Sequence, residues 1–374
     1  MTSPSRARDG ADRCPGLLAP FVSADGAMIR LRLPGGRVEA ATLTAIADLA
    51  RRHGDPSLTL TSRGSLQLRG LPDPLPRELV AAIGDLGLVP SGEHDRARNI
   101  VADPDPALDD PVASLDSGLL ARPELAALPG RFLLAVARPG GPALAEPWDV
   151  AVVDEGRTAR VVVDGRSVVV PRKEAAATAL GAARRFLDAR ADERTWNVRD
   201  LPADARAELL PDAEPYVVDA AGPPSPGPLG DDLVVLVPLG VLTSTMARTL
   251  AEVLAPRPPR RGALRITPWR SIVVPGGAER ADDLAAAGLV TSPGSPWTVL
   301  TACAGAPLCG RTDTPTRSLA RQAAHLLDPA GPPVHVTGCE RACGHPARDH
   351  TTAPNPTTAM DIVAAQRSST RKAP

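Results

Sequence analysis

An apolar run at residues 28–33 leads through Pro34-Gly35-Gly36 into a stretch where Leu43, Ile46, Leu49 and Ala50 recur every three or four positions. That pattern predicts a strand, a turn and a helix with one buried face. Two short apolar segments, 57–61 and 66–68, flank Thr61-Ser62-Arg63 and predict paired strands. The pattern returns about two hundred residues later. A strand over 233–237 precedes Pro238-Leu239-Gly240, then Met246, Leu250, Val253 and Leu254 lie on one helical face. Strands over 263–267 and 271–274 flank Thr267-Pro268-Trp269-Arg270, which places Arg63 and Arg270 at the same turn of the two copies. Each copy is β-α-β-β, half of a ferredoxin-like sandwich with an open sheet edge that a second half completes. The fold class is therefore α+β, with the two half-domains forming one pseudo-symmetric domain.

Each half is followed by a different segment. After the first come Arg96-Ala97-Arg98-Asn99-Ile100, an acidic Pro-rich stretch at 103–110, a strand over 131–137, a hairpin-like run at 150–170 and a helix over 173–189. Pro and Gly crowd 220–230 and mark a boundary. After the second half, Thr314 and Pro315 suit the cap and first residue of a helix carrying Leu319, Ala323, Leu326 and Leu327, with a strand over 333–337 behind it. The expected organisation is a leader (1–15), a first half-domain (16–90), an α/β domain (91–222), a second half-domain (223–295) and a cysteine segment (296–348). The Thr-, Ala- and Pro-rich residues 349–374 read as a disordered tail.

Four of the five cysteines fall in that segment as C-x5-C (Cys303, Cys309) and C-x3-C (Cys339, Cys343), with 29 residues between the pairs. The first pair precedes the predicted helix and the second follows the predicted strand, so packing of the two elements brings the loops together. A chain of 374 residues buries enough core to fold without covalent staples. The opening residues lack a charged-then-apolar leader, and no apolar run is long enough to cross a bilayer, so cytoplasmic, reduced thiols are expected. Four thiolates match a cubane iron–sulfur cluster. A four-cysteine zinc site needs the same number at tighter spacings. Cys14 reads as a thiol on the leader.

Composition narrows the function. With 43% hydrophobic and 23% charged residues, the chain fits an ordinary soluble protein, and a net charge of −1 gives no reason to expect nucleic acid. Lysine is limited to Lys173 and Lys372, a compositional bias toward arginine, so only arginines in motifs count. No G-x-G-x-x-G occurs, and reducing equivalents are expected from a separate reductase or ferredoxin.

The strings Leu33-Pro34-Gly35-Gly36, Leu60-Thr61-Ser62-Arg63-Gly64, Leu66-Gln67-Leu68-Arg69-Gly70, Ala302-Cys303-Ala304-Gly305-Ala306-Pro307-Leu308-Cys309 and Gly338-Cys339-Glu340-Arg341-Ala342-Cys343-Gly344-His345-Pro346 resemble the nitrite and sulfite reductase superfamily. Within it, the chain is most similar to the precorrin-3B synthases of aerobic cobalamin biosynthesis. The resemblance implies two reductase-type α/β domains beside the half-domains and a 4Fe-4S cluster on Cys303, Cys309, Cys339 and Cys343. It also implies that Arg63 and Arg98 lie by a tetrapyrrole, with Arg69, Arg131 and Arg270 completing the candidate set for its carboxylates. Precorrin-3A and sirohaem are both polycarboxylates. Reductases of sulfite have lysines where Arg131 and Leu133 stand here, so this chain lacks one proton donor of that chemistry.

The activity implied is an oxygen-dependent monooxygenation of precorrin-3A, with a mononuclear non-haem iron beside the cluster; because one chain contains both half-domains, a monomer is expected. The six histidines are scattered in sequence; His345, iron ligand or neighbour of the cluster, is the first candidate and His94 the next. The alternatives are a sirohaem-dependent sulfite or nitrite reductase and a non-catalytic iron–sulfur carrier or sensor. Past Pro346 the chain departs from the strand-forming continuation of its relatives.

Overall fold

The computed structural model describes residues 12–254 and 263–370. The chain divides into two compact units: Met1–Phe21, Leu31–Gly36 and Gly87–Pro223 make one, and Val22–Arg30, Arg37–Leu86 and Pro224–Pro374 the other.

The second unit holds the repeat as two five-stranded sheets. One runs in the order Phe21–Ser23, Gly26–Leu31, Leu66–Leu71, Ser57–Leu60, Val241–Thr243; the other runs Gly227–Leu229, Asp232–Leu236, Ser271–Val274, Ala263–Ile266, Arg37–Glu39. Each sheet therefore ends on a strand from the other copy. Val38 lies opposite Leu264 and Leu242 opposite Leu58, both antiparallel. The turns before these strands carry the chain across: Gly35 and Gly36 have φ of 62° and 71°, Leu239 and Gly240 of 55° and 70°. Left-handed backbone bends each chain out of its own sheet, and the exchange covers the edges the half-domains would leave open. Helices Ala40–His53 and Ser244–Leu254 bury the faces their spacing predicts, Leu43, Ile46, Leu49 and Ala50 on one and Met246, Leu250, Val253 and Leu254 on the other. Burial of a Leu or Ile side chain contributes about 1.5–3 kcal/mol.

Strand register corrects the equivalence of Arg63 and Arg270. Leu60 faces Leu66 and Ile266 faces Ile272, so the intervening loops, 61–65 and 267–271, are equal in length. Arg63 is then matched by Trp269, and Arg270 by Gly64. Gly64 and Arg270 share a left-handed φ, 61° and 58°.

At the cysteine end, Leu300–Ala302, Val334–Thr337 and Thr351–Pro354 form a three-stranded parallel sheet. Helix Thr316–Ala323 connects the first two strands, and helix Ala359–Thr370 follows the third. The expected disordered tail is thus corrected: as far as Thr370 it is a strand and a helix. Three side chains explain why, since Ala353, Ile362 and Val363 are buried in the core of this sheet. The Gln366 amide adds bonds to Asp328 N, Asp328 O and Pro332 O at 3.0, 2.9 and 3.2 Å. Leu239, from the exchange turn of the second half, joins the same core. Thr314 does not cap the helix; Thr316 opens it and donates from its hydroxyl to Cys303 O at 2.8 Å.

The first unit is a six-stranded sheet in the order Glu214–Pro215, Arg166–Pro171, Thr158–Val163, Val150–Asp154, Leu134–Ala137, Ile100–Ala102. The last three strands are parallel and the others antiparallel. Helices Asp109–Leu120 and Ala175–Ala189 cover one face through Leu115, Leu119, Leu180 and Phe186, and Phe186 packs 4.8 Å from Phe132, centroid to centroid. Cys14 is corrected as well: it is buried, with Arg32 Nη2 donating to its Sγ at 3.5 Å. Most of the expected leader lies outside the described residues.

Candidate functional site

The two cysteine loops leave the C-terminal ends of adjacent parallel strands. Cys303 continues the first strand, its N–H donating to Val336 O at 3.0 Å. The loop then turns through Gly305, φ 63°, where an added Cβ would lie 2.2 Å from Thr316 Oγ1; no larger residue fits. Cys309 closes the turn by donating to Gly305 O at 2.9 Å. Beyond the second strand, Ala342 N donates to Cys339 O at 3.2 Å, and Ala342 and Gly344 hold left-handed φ of 45° and 77°. None of the four cysteines is in a disulfide; Cys303 is buried, Cys309 and Cys339 partly so, and Cys343 is exposed as a residue. The Cys343 thiol is nonetheless shielded. Burial pushes its pKa up, and Cys339, Cys303 and Cys309 add to the rise while Arg341 opposes it. Cys303, Cys309 and Cys339 therefore each lie within electrostatic reach of Cys343.

Among the described residues no three His, Cys, Asp or Glu side chains are gathered as around a single metal ion. A cubane takes one thiolate at each of four corners and spreads them more widely than one ion with bonds of about 2.3 Å. Four convergent thiols on two loops, with glycines that let backbone approach, suit that wider group.

Two arginines hold these loops. Arg270, 7% exposed, donates from Nη2 to Gly344 O, next to Cys343. Arg69 donates to Leu308 O at 2.8 Å, next to Cys309, and binds Asp25 with both arms of its fork at 2.9 and 3.0 Å. Arg63 is partly buried on the first turn. Arg98 and Arg131 belong to the other unit. Arg98 pairs with Asp116 through two bonds of 2.8 Å, and Arg131 is half exposed, lying over the Trp196 ring at 4.9 Å with Asp12 at 3.6 Å. Leu133, where a lysine was noted in reductases of sulfite, is fully buried in an apolar cluster.

The histidines are less scattered than their sequence positions. His335 meets His350 edge to face at a centroid distance of 5.9 Å, and His350 stacks on His345 at 5.7 Å. His335 is completely buried, and Thr301 Oγ1 lies 2.8 Å from its Nδ1. Burial, then Arg270 and the other two rings, lower its pKa to about 3, against a contact to the Cys343 backbone, so the imidazole is neutral. His345 is exposed, with Nδ1 3.1 Å from Pro346 O. In His94 both ring nitrogens are engaged, to Ser91 Oγ at 2.9 Å and Arg122 O at 3.0 Å, which leaves no lone pair for a metal.

The family model of the nitrite/sulfite reductase ferredoxin-like half domain matches residues 22–84. These residues are a nitrite/sulfite reductase ferredoxin-like half domain. The strand exchange makes residues of the second copy the other half of the same sandwich. The structure is similar to that of the Mycobacterium tuberculosis NirA protein, at a TM-score of 0.62 and 19% identity over 85% of this chain and 69% of that one. The two proteins thus share a fold. Three curated relatives match in part. A sulfite reductase [NADPH] hemoprotein beta-component of Acidithiobacillus ferrooxidans is 41% identical over 83 residues, 22% of this chain. A precorrin-3B synthase of a Sinorhizobium species is 38% identical over 72 residues, 19% of the chain. A ferredoxin--nitrite reductase of Synechococcus elongatus is 40% identical over 85 residues, 22% of the chain. The matches span 15%, 16% and 16% of those relatives' lengths.

Beside the half domain, reading the sequence missed Arg317 and His335. Arg317 and Arg321, four apart on helix Thr316–Ala323, were a visible signal of a cationic helical face. His335 carried none, because a lone histidine within a strand has no distinguishing pattern. Among the described residues no helix is long and apolar enough to cross a membrane.

Proposed function

We propose that this chain is a precorrin-3B synthase, an oxygen-dependent monooxygenase. It hydroxylates the meso carbon of precorrin-3A between rings A and D, and the ring A acetate closes a γ-lactone. One atom of dioxygen enters the product. The other leaves as water with two protons and two electrons, which a separate reductase or ferredoxin supplies. The observation that carries this reading is the set of four thiols at the ends of two adjacent parallel strands, their loops tied by Arg69 and Arg270.

Cys303, Cys309, Cys339 and Cys343 would hold a 4Fe-4S cluster, which delivers electrons one at a time when bound. Arg63 and, in the other unit, Arg131 carry guanidinium forks of the kind that bind carboxylates, while the fork of Arg98 is held by Asp116. Leu133 supports oxygenation over anion reduction, because a buried alkyl group donates no proton. The partial match to a precorrin-3B synthase points the same way. Of the two candidate histidines for a mononuclear iron, His94 has both ring nitrogens engaged, while His345 is exposed two residues after Cys343 and is the one that would hold it.

The similarity to a sulfite reductase hemoprotein favours a second reading, a sirohaem-dependent reductase. Absorption of the anaerobically purified protein separates them: a chlorin-type band selects the reductase, a broad brown shoulder the synthase. Incubation with precorrin-3A, dioxygen and a reductant should add one oxygen atom to the substrate's mass. An unchanged mass would remove the synthase reading.

A further inference from the structure

Arg317 sits in the first turn of helix Thr316–Ala323, behind Cys309 in sequence, and is largely enclosed. Its one recorded hydrogen bond is long, from Nη2 to Thr59 Oγ1 at 3.4 Å, and its Nε has no partner. Among the described residues no carboxylate forms an ion pair with it. Asp55 favours its charge, but the Asp55 Oδ1 already accepts from Ser57 N at 2.8 Å and Ser57 Oγ at 2.7 Å. Its other charged neighbours are cations: Arg69, Arg321 and Arg270. Burial first, then Arg69 and Arg321, lower its pKa to about 10, which still leaves it charged at neutral pH. A shielded guanidinium among like charges is unfavourable unless an anion arrives from outside the chain.

We propose that Arg317 receives a carboxylate of the substrate, an organic polycarboxylate, with Arg321 at the rim of the same site. This rests on the tetrapyrrole reading above and adds a binding residue to it. Arg69 and Arg270 are engaged with the cysteine loops, whereas among the described residues the fork of Arg317 meets only the long contact to Thr59. The same fork would reject neutral tetrapyrrole esters, because an ester cannot compensate its charge.

The test uses the full chain with uroporphyrin, an octacarboxylate, and its octamethyl ester as probes, in the wild type, Arg317→Met and Arg317→Lys. The wild type should bind the acid and not the ester. Arg317→Met should weaken binding of the acid by about tenfold or more, with Arg317→Lys between the two. Without ligand, Arg317→Met should melt at or above the wild-type temperature, as expected on removing a shielded charge that has no counter-ion. Equal affinity in Arg317→Met overturns this assignment and leaves the synthase reading standing. If the wild type binds no porphyrin, the tetrapyrrole reading falls. Sulfate-dependent stabilisation then decides the anion site, and an equal rise in melting temperature in wild type and Arg317→Met rejects it. Should Arg317→Met fail to fold, the comparison of Arg317→Lys with wild type carries the same decision.

Discussion

Arg270 occupies a left-handed backbone position, φ 58°, and from there donates to the carbonyl of Gly344, the residue after Cys343. Its counterpart in the first half-domain is Gly64, at φ 61°, where that conformation costs nothing. Holding arginine there costs about 1–3 kcal/mol. The neighbourhood accommodates it: a Cβ on Gly240 would meet Arg270 Cδ at 2.9 Å, and one on Gly344 would meet Arg270 Nη2 at 3.3 Å. Strain kept in one copy of a repeat and absent from the other points to a task, here the clamp on the Cys343 loop. Arg270→Gly should therefore melt no lower than wild type as a cluster-free protein, yet hold less iron and acid-labile sulfide per chain. Unchanged iron content in a folded Arg270→Gly protein would reject the clamp.

The cysteines divide cleanly. Cys339→Ser should abolish bound iron and sulfide, because a cubane requires a thiolate at each corner. Cys14→Ser should leave both unchanged, since Cys14 is buried beside Arg32 in the other unit. Iron and sulfide assays on the two variants, purified side by side without oxygen, check this. Loss in both would mean that Cys14 has been misplaced.

How far the sequence foretold these features depends on where the determining interaction lies. Leu43, Ile46 and Leu49 announce their helix because helical period is local, and the cysteine loops were placed because each adjoins a recognisable strand or helix. The exchanged strands Arg37–Glu39 and Val241–Thr243 were not legible. Three residues have little pattern, and their partners are some two hundred positions away. The Arg63–Arg270 equivalence failed by one position, a slip that only the register of Leu60 with Leu66 and Ile266 with Ile272 exposes. Arg317 and Arg321 were visible as a pair, whereas the surroundings of Arg317 depend on Thr59 and Asp55, some two hundred and sixty positions away.

The C-terminal helix owes its place to few contacts, so it should be sensitive to them. Ile362 is fully buried in the core that also contains Leu239, Leu300 and Val336. Ile362→Ala should destabilise the protein by about 2–4 kcal/mol. Amide exchange should quicken first in Thr351–Pro354, the edge strand this helix covers. A denaturation midpoint equal to wild type would mean that the helix contributes nothing to the cysteine sheet.

Asp149 in the other unit sets a pH dependence. Its carboxylate accepts from Leu133 N at 2.8 Å, Val198 N at 2.7 Å and Asn197 Nδ2 at 3.0 Å. Burial outweighs these bonds and raises its pKa from 3.8 to about 6. Between those two values the folded chain holds more protons at this group than the unfolded chain, so stability falls as pH rises. Its contribution is complete below about pH 4 and gone above about pH 6, a loss of order 3 kcal/mol for this group alone. Asp149→Asn removes the titration and also turns an amide toward donors, so it should be less stable than wild type at every pH. The gap should be largest near pH 4 and narrow on approaching pH 7. Urea denaturation of both proteins across that range measures it, and a gap that is constant or widens toward neutrality would show that the carboxyl is ionised throughout.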